Sequence, residues 1–278
     1  MPRRDLGSPV YGLVRTAPIG DDALKYIPAD AAAVAAIGLN PPTSPEGKPS
    51  SAEPPQLALM DIGRELFANV RSVSAFVVPG ETDLPEIGLV VLAQDATKSK
   101  ELWTRLMSLP TQFGAVPTGA VKEVEISGRA AWQYAYPDAP LIVVTQPSDE
   151  SMIVGTEAAV KASLAALDEG RSLAGEGEGA DLMESASPAT SKALFLRGGP
   201  LLKCAQPKMS QRERRQADMI VPLLEELTAS LIIDEEPNEL RLKVDVAGIP
   251  HVGDVLRAVG GQSREAQRTA EHRPEDAP

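Results

Sequence analysis

The chain has few of the side chains that most often carry catalysis and metal binding. Its 278 residues include one cysteine, Cys204, and two histidines, His251 and His272. A single cysteine excludes an intrachain disulfide and leaves the redox compartment undetermined. So few nitrogen and sulfur ligands support a transition-metal site poorly. A Cys204–His251 nucleophile–base pair is conceivable, but we favour a small side chain at a loop edge beside an unrelated histidine.

The chain also lacks the motifs of common enzymes and nucleotide-binding proteins. It has neither a Gly-x-Ser-x-Gly nucleophile elbow nor a phosphate loop ending in Gly-Lys-Ser or Gly-Lys-Thr. Glycines recur at residues 175–179, but the glutamates between them would repel a phosphate, so we interpret this segment as a linker. We therefore assign no catalytic residue, no cofactor-binding residue, no metal ligand and no cofactor.

Long apolar runs and aromatic side chains are scarce. No apolar run approaches the length of a membrane-spanning helix, so we predict no integral membrane segment. Arg3 and Arg4 resemble the basic start of a signal peptide, but glycines, prolines and Arg15 interrupt residues 6–19, so we predict no signal peptide in this chain. Aromatic residues make up 4%, and the core must use Ala, Val, Leu and Ile.

Negative charge exceeds positive charge, and the formal net charge is −12. This balance argues against nucleic acid as a partner, because phosphate contacts need a basic surface. It argues equally against a flat anionic membrane. We attribute the charge to solubility. The partner stays unknown, with a protein as one candidate.

Two small charged clusters are interpreted as solvent-exposed side chains without a bound ligand. The acidic residues Asp234, Glu235, Glu236 and Glu239 could attract calcium, but they lack the ligand spacing of a known calcium loop, and we predict a solvated turn. Arg212, Arg214 and Arg215 lie at a predicted helix start, where the helix dipole disfavours them slightly. We interpret them as a solvated face, with an acidic partner as the alternative.

The order strand, helix, strand, turn, strand, helix occurs twice. In the first copy, residues 34–39, 72–78 and 87–93 are predicted strands, and residues 57–70 and 97–109 are predicted helices, the second ended by Pro110. The first helix presents an apolar face that includes Leu66 and Phe67, and the second presents Leu106.

The second copy follows the same order. Residues 193–196 are a predicted strand, and Ser210 with Glu213 forms a capping-box pattern before a helix that is kinked at Pro222. Residues 228–233 and 240–246 predict a hairpin with one wet face, and residues 252–259 a final helix. Leu223, Leu224 and Val244 are predicted core residues of this copy.

Between the copies lies a strand-rich middle segment. Its predicted strands are residues 121–126, 130–136, 141–145 and 151–154, and a helix over 157–167 follows Thr156 as its N-cap. We expect a meander that extends the sheet of the first copy. The predicted division of the chain is a disordered segment 1–22, a first repeat with its extension 23–169, a linker 170–188, a second repeat 189–261 and a disordered tail 262–278.

One resemblance to known proteins can be stated. The segment Leu24-Lys-Tyr-Ile-Pro-Ala-Asp30 before a strand resembles the opening of repeat-built bacterial proteins of unknown function, of the kind abundant in planctomycetes. The segment Met152-Ile-Val-Gly-Thr-Glu157, followed by an Ala-rich helix, is similar to their recurring strand-to-helix step. The resemblance covers about residues 23–261 and implies export, whereas we predict no signal peptide in the sequence as given. It supplies no site residues.

We therefore predict an α+β protein of two related strand-helix-hairpin-helix halves, with mainly antiparallel sheets and helices packed on one face. Scarcity of His and Cys and the missing nucleophile motif favour a non-enzymatic, acidic and soluble binding or scaffolding module of unknown ligand. The alternative is an enzyme, such as a hydrolase, with an unrecognised site. A pocket lined by carboxylates with perturbed titration would favour that alternative.

Overall fold

The computed structural model describes residues 16–39, 69–80, 85–112, 120–136, 140–175, 186–236, 239–251 and 253–254. Their strands are β1 (Ala33–Gly38), β2 (Val70–Val78), β3 (Glu86–Ala93), β4 (Val121–Ile126), β5 (Arg129–Tyr134), β6 (Ile142–Ser148), β7 (Ser151–Gly155), β8 (Thr190–Arg197), β9 (Thr228–Glu236) and β10 (Glu239–Ala247). The α-helices are α1 (Ala96–Gln112), α2 (Glu157–Glu169), α3 (Gly198–Ala205) and α4 (Gln211–Leu224), and 3₁₀ helices occupy Asp21–Tyr26 and Gln206–Lys208.

All of these strands belong to one antiparallel sheet. Its ten strands lie in the order β10-β9-β8-β1-β2-β3-β7-β6-β5-β4. The α+β class is therefore confirmed, but the separate sheets expected from the sequence are replaced by a continuous one. The physical reason is that β1 and β8 pair with each other, with Ala36 opposite Ala193. Each strand thereby satisfies backbone groups that would otherwise form an open sheet edge.

The middle strands form the expected meander and extend the sheet beyond β3. The chain first crosses through α1 to the outermost strand, β4, and then returns strand by strand to β7, which pairs with β3. Helix α1 lies over these strands, and the Tyr134 hydroxyl donates a hydrogen bond to the Met107 carbonyl oxygen at 3.0 Å. The meander is therefore attached to the rest of the fold in two places, through α1 at Tyr134 and through the pairing of β7 with β3.

The main core covers one face of the sheet, which we call the core face. Phe76, Val90, Ile153 and Ile232 are buried there on four different strands. Helix α2 packs against this face through Leu164 and neighbouring small side chains, and the first 3₁₀ helix packs beside it. The Ser163 hydroxyl donates to the Tyr26 carbonyl oxygen at 2.5 Å, which joins the two helices.

Helix α1 lies on the opposite face, so the expectation that the helices pack on one face is wrong. Its Trp103 is buried with Val70, Val91 and Ala93, and its Met107 packs with Tyr134 and its neighbours. Alternate side chains of a strand point to opposite faces, and those of β3 are apolar on both. Such strands need cover on both sides, which a one-sided layer of helices cannot supply.

Several local differences from the sequence predictions have simple causes. Helix α1 continues through Pro110 to Gln112, because a proline near the end removes only one late backbone donor. Residues 16–20 belong to the segment predicted to be disordered, yet Ile19 is buried and its amide donates to the Thr190 carbonyl oxygen. Leu173, in the predicted linker, is also buried, and its amide donates to Ile27.

Other predicted features have clear outcomes. The capping box of Ser210 and Glu213 is confirmed by both of its hydrogen bonds. Leu66, Phe67 and most of the helix predicted at 252–259 lie outside the described residues, as does the Leu106 side chain. Within the part of the chain that is described, no helix is both long enough and apolar enough to cross a membrane.

A close contact between three strands fixes the centre of the core face. Phe76 on β2 lies directly opposite Gly88 on β3, and Gly88 lies opposite Gly155 on β7. A Cβ atom added at Gly88 would lie far closer to Phe76 Cζ than van der Waals contact allows and so overlap the ring, which shows that the ring lies across the glycine. The absence of a side chain at Gly88 is what admits the aromatic ring to this position.

We expect Gly88→Ala to destabilise the protein by about 1–3 kcal/mol, because overpacking of a dense core costs energy of this size. Chemical denaturation measures the loss. The double variant Phe76→Leu/Gly88→Ala should lose less stability than the two single variants together, since the smaller side chain makes room for the methyl group. Strict additivity would show that the ring and the glycine do not interact.

Candidate binding surface

The last hairpin, β9–β10, is anchored to the rest of the sheet by a carboxylate on the core face. Asp234 on β9 is 4% exposed. It accepts a hydrogen bond from the Thr190 hydroxyl at 2.6 Å, and Lys243 Nζ lies 2.7 Å from its other carboxylate oxygen. Thr190 lies on β8 and Lys243 on β10, so this one side chain ties three neighbouring strands together.

The next residue, Glu235, makes a second anchor on the opposite face. Its Oε1 atom lies 2.7 Å from Lys192 Nζ and accepts from the Ser191 hydroxyl at 2.8 Å. The Thr16 backbone amide donates to both carboxylate oxygens at 3.0–3.1 Å. Glu235 therefore attaches the segment before the first 3₁₀ helix to β8 and β9.

Both carboxylates are held in the ionised form. Burial is the largest single influence on each carboxylate, and by itself it raises the pKa of Asp234 and of Glu235. Hydrogen bonds outweigh burial: those from Lys243 and Thr190 lower the pKa of Asp234, and those from Lys192, Ser191 and the Thr16 amide lower the pKa of Glu235. The net shift is downward for both groups, as expected for buried carboxylates with paired cations.

This arrangement corrects the expectation of a solvated acidic turn at these two positions. Adjacent residues of a strand point to opposite faces, so Asp234 and Glu235 cannot share a ligand. Each is already paired with a lysine. The alternation of side chains along a strand could have predicted from the sequence that Asp234 and Glu235 lie on opposite faces. Their lysine partners could not be predicted in this way, because they become neighbours only when the strands pair. Within the described ranges, no group of three or more His, Cys, Asp or Glu side chains is placed to hold a metal ion.

We expect Glu235→Gln to lower the free energy of unfolding at pH 7 by about 1.5–3 kcal/mol, the usual scale for hydrogen bonds to charged groups. Because the folded pKa of Glu235 lies below the unfolded value of about 4.3, its contribution is present above that pH and is lost as the pH falls through the folded pKa. The difference between wild type and variant should therefore shrink in acid. Urea denaturation between pH 7 and pH 3 measures it.

Glu225→Gln is the matched control, because Glu225 also pairs with a lysine, Lys203, at 2.6 Å, but both side chains are largely exposed. An exposed pair contributes roughly 0–1 kcal/mol, so this variant should change stability little at any pH. Equal losses for the two variants would contradict the anchoring role of Glu235.

Strand β10 exposes the apolar side chains that alternate along it. Leu240, Leu242, Val244 and Val246 share one face because they are two residues apart. Leu242 is 60% exposed and Val244 is 64% exposed. The prediction that Val244 serves the core is therefore wrong. Leu223 and Leu224, predicted with it, are only half-buried on α4, where Ala217 and Val221 are buried instead.

The cause is the position of β10 in the sheet. Val244 lies opposite Leu231 of β9, which lies opposite Leu194 of β8, so these side chains point away from the core face. On that opposite side, Trp103 and Met107 of α1 pack over β2, β3 and the meander, at the other end of the sheet. Leu194 is itself partly exposed at 37%. We call Leu194, Leu240, Leu242, Val244 and Val246 together the edge surface.

Strand β10 is an end strand of the sheet: among the described strands it pairs only with β9. All nine of its residues are exposed. The other end strand, β4, is shorter, and its apolar side chains are half-buried or buried, whereas those of β10 are exposed. The two sheet ends therefore differ, and β10 is the one that presents apolar side chains to solvent.

The Cys204 thiol lacks the electrostatics of a nucleophile. It lies half-buried on α3, where burial raises its pKa. A nucleophilic thiol needs the opposite shift, because only the thiolate attacks. His251 follows β10 and is exposed. Cys204 therefore lies within a helix and not at the predicted loop edge.

Replacing Cys204 with Ser should change the denaturation midpoint only slightly, because the thiol is half-buried and the two side chains have similar size. The same thiol should react slowly with iodoacetamide at pH 7 and faster as the pH rises. Rapid alkylation at neutral pH would contradict the raised pKa and restore the possibility of a thiol enzyme.

A pocket of about 280 Å³ lies between residues 28–30, which follow the first 3₁₀ helix, and the C-terminal half of α2. Asp30 and Arg171 bring charge to it, and the other lining residues are proline and alanine: Pro28, Ala29, Ala162, Ala165 and Ala166. One carboxylate and one guanidinium on an apolar lining do not make a pair of carboxylates or a nucleophile with its base. The edge surface is therefore the better candidate site.

Comparison with known proteins identifies no relative. No protein-family model matches the chain, and no curated protein sequence or solved structure matches it significantly. The function is therefore argued from the residues of this chain alone.

Proposed function

We propose that this protein is a non-enzymatic binding or scaffolding module that contacts a protein partner through the edge surface. The observation that carries the proposal is the exposure of apolar side chains on every second residue of β10. Contiguous exposed apolar side chains on an end strand of a sheet favour partner binding, because isolated monomers seldom leave such patches uncovered. An open strand edge also supplies backbone donors and acceptors for a partner in extended conformation.

Charge supports a protein partner in preference to other ligands. The chain carries a formal net charge of −12, which repels nucleic acids and anionic lipid surfaces. The edge surface itself is apolar, whereas the alternate residues Glu239, Arg241, Lys243 and Asp245 place charges of both signs on the other face of β10. An apolar surface of this kind suits the centre of a protein–protein interface better than contact with a charged polymer.

We further propose that the sheet is built from two related halves. Strands β1, β2 and β3 are neighbours in chain order, and so are β8, β9 and β10. The two groups meet where β1 pairs antiparallel with β8, an arrangement that suits an approximate two-fold axis. In this proposal the outer strand of one half, β3, is paired by the meander, while its counterpart β10 remains open for a partner.

The variant Leu242→Lys/Val244→Lys tests the edge surface. Because both side chains are exposed, we expect it to fold with a free energy of unfolding within about 0.5 kcal/mol of wild type for each change. Binding of the apolar dye 8-anilinonaphthalene-1-sulfonate to the folded protein should fall clearly. Dye fluorescence, with circular dichroism as the check on folding, measures the effect.

Leu141→Lys is the control, because Leu141 is comparably exposed, at 45%, but precedes β6 and lies outside the edge surface. It should leave dye binding near the wild-type level. If dye fluorescence were equal in all three proteins, the edge surface would not be a binding site for apolar groups, and the proposed function would lose its support.

A further inference from the structure

Strand β10 has the sequence of a strand that can pair with its own copy. Its apolar residues occupy the even positions from Leu240 to Val246, and charged residues occupy the odd positions from Glu239 to Asp245. In an antiparallel pair of identical strands, a two-fold axis perpendicular to the sheet lies between the two copies of one central residue, which therefore faces itself. A residue a given number of positions before the centre then faces the residue the same number of positions after it. Facing residues are both even-numbered or both odd-numbered, so the apolar side chains of both copies lie on one face and the charged ones on the other.

Charge selects among the registers that pair at least five residues of β10, since centres at Leu240 or Val246 pair only three. A register centred on Leu242 places Arg241 opposite Lys243 of the other copy and Glu239 opposite Asp245, so like charges face each other. A register centred on Arg241, Lys243 or Asp245 places that charged residue opposite itself. Like charges directly opposite one another destabilise a strand pair, and opposite charges stabilise it.

An axis through Val244 avoids every such clash. Lys243 then faces Asp245 of the second copy, and the symmetry repeats this pair on the other side of the axis. On the apolar face, Val244 faces itself and Leu242 faces Val246. The Lys243 ammonium is already held 2.7 Å from Asp234 within its own chain, so it is positioned on the same face as the incoming carboxylate.

We propose that two copies of this chain associate through β10 in this register, from Arg241 to Ala247, and so join their sheets into one. The inference rests on the proposed function and names a second copy as the partner of the open edge. It follows from the strand's position at the end of the sheet and from the self-complementary order of its charges. The apolar faces of the two copies become continuous across the axis.

Cysteine cross-linking tests the register. In a Cys204→Ser background, Val244→Cys should form a disulfide-linked dimer under mild oxidation, because position 244 faces itself across the axis. Leu242→Cys alone and Val246→Cys alone should cross-link weakly. A mixture of these two variants should cross-link well, since those positions face each other. Non-reducing electrophoresis measures each yield.

Sedimentation velocity of the wild-type chain over a range of concentrations measures the association itself. We expect a reversible dimer, and Asp245→Lys should weaken it by roughly tenfold, because two favourable cross-strand pairs become repulsive. Glu239→Lys is the control: position 239 faces no charged side chain in this register, and the dimer should persist.

Two results would overturn the proposal. A wild-type chain that stays monomeric at all concentrations would exclude self-association through β10. A dimer in which Leu242→Cys cross-links as well as Val244→Cys would exclude this register. Dye binding distinguishes a failure of the dimer proposal from a failure of the proposed function. A monomer whose edge surface still binds the dye would contradict only the dimer and would remain a candidate binding module.

Discussion

Strand β8 lies antiparallel to β1, with Ala35 opposite Leu194 and Ala36 opposite Ala193. This pairing joins distant parts of the chain, and the sheet depends on it, because it attaches β8, β9 and β10 to the other seven strands. Contacts at both ends strengthen it. The Arg197 amide donates to the Ala32 carbonyl oxygen, and the Ile19 amide donates to the Thr190 carbonyl oxygen, each at 2.9 Å. The entropy of closing so long a loop is offset by burying Phe195 and Ala193 on the core face.

Two buried carboxylates on β9 hold the last hairpin, β9–β10, to β8. Asp234 and Glu235 are consecutive, face opposite sides of the sheet and each pair with a lysine from a neighbouring strand. Breaking either pair would leave a buried charge without its partner, which costs more than the pair itself contributes. The hairpin is therefore held firmly at its β8 side, while no described strand pairs with its outer side.

The edge surface therefore combines exposed apolar side chains with a backbone that ion pairs hold in place. An exposed apolar strand at the end of a sheet is a hazard when it is mobile, since it can pair indiscriminately. A strand fixed in place by ion pairs presents one defined set of side chains and one defined backbone edge. Specific association becomes possible because the geometry of the edge is determined before any partner arrives.

Local patterns in the sequence determined much of the secondary structure. Runs rich in β-branched residues became strands, β4 occupies the predicted residues 121–126, and Ser210 and Glu213 begin α4 with a capping box. These features depend on neighbouring residues and on backbone propensity, so they can be predicted from the sequence.

Position in the sheet was decided only by the tertiary structure. Alternation predicts that Leu242, Val244 and Val246 share a face, but it does not tell whether another element covers that face. The lysine partners of Asp234 and Glu235 follow in the same way from strand pairing between distant segments. Periodicity acts within a strand, whereas burial depends on which strands and helices become neighbours, and that information is spread over the whole chain.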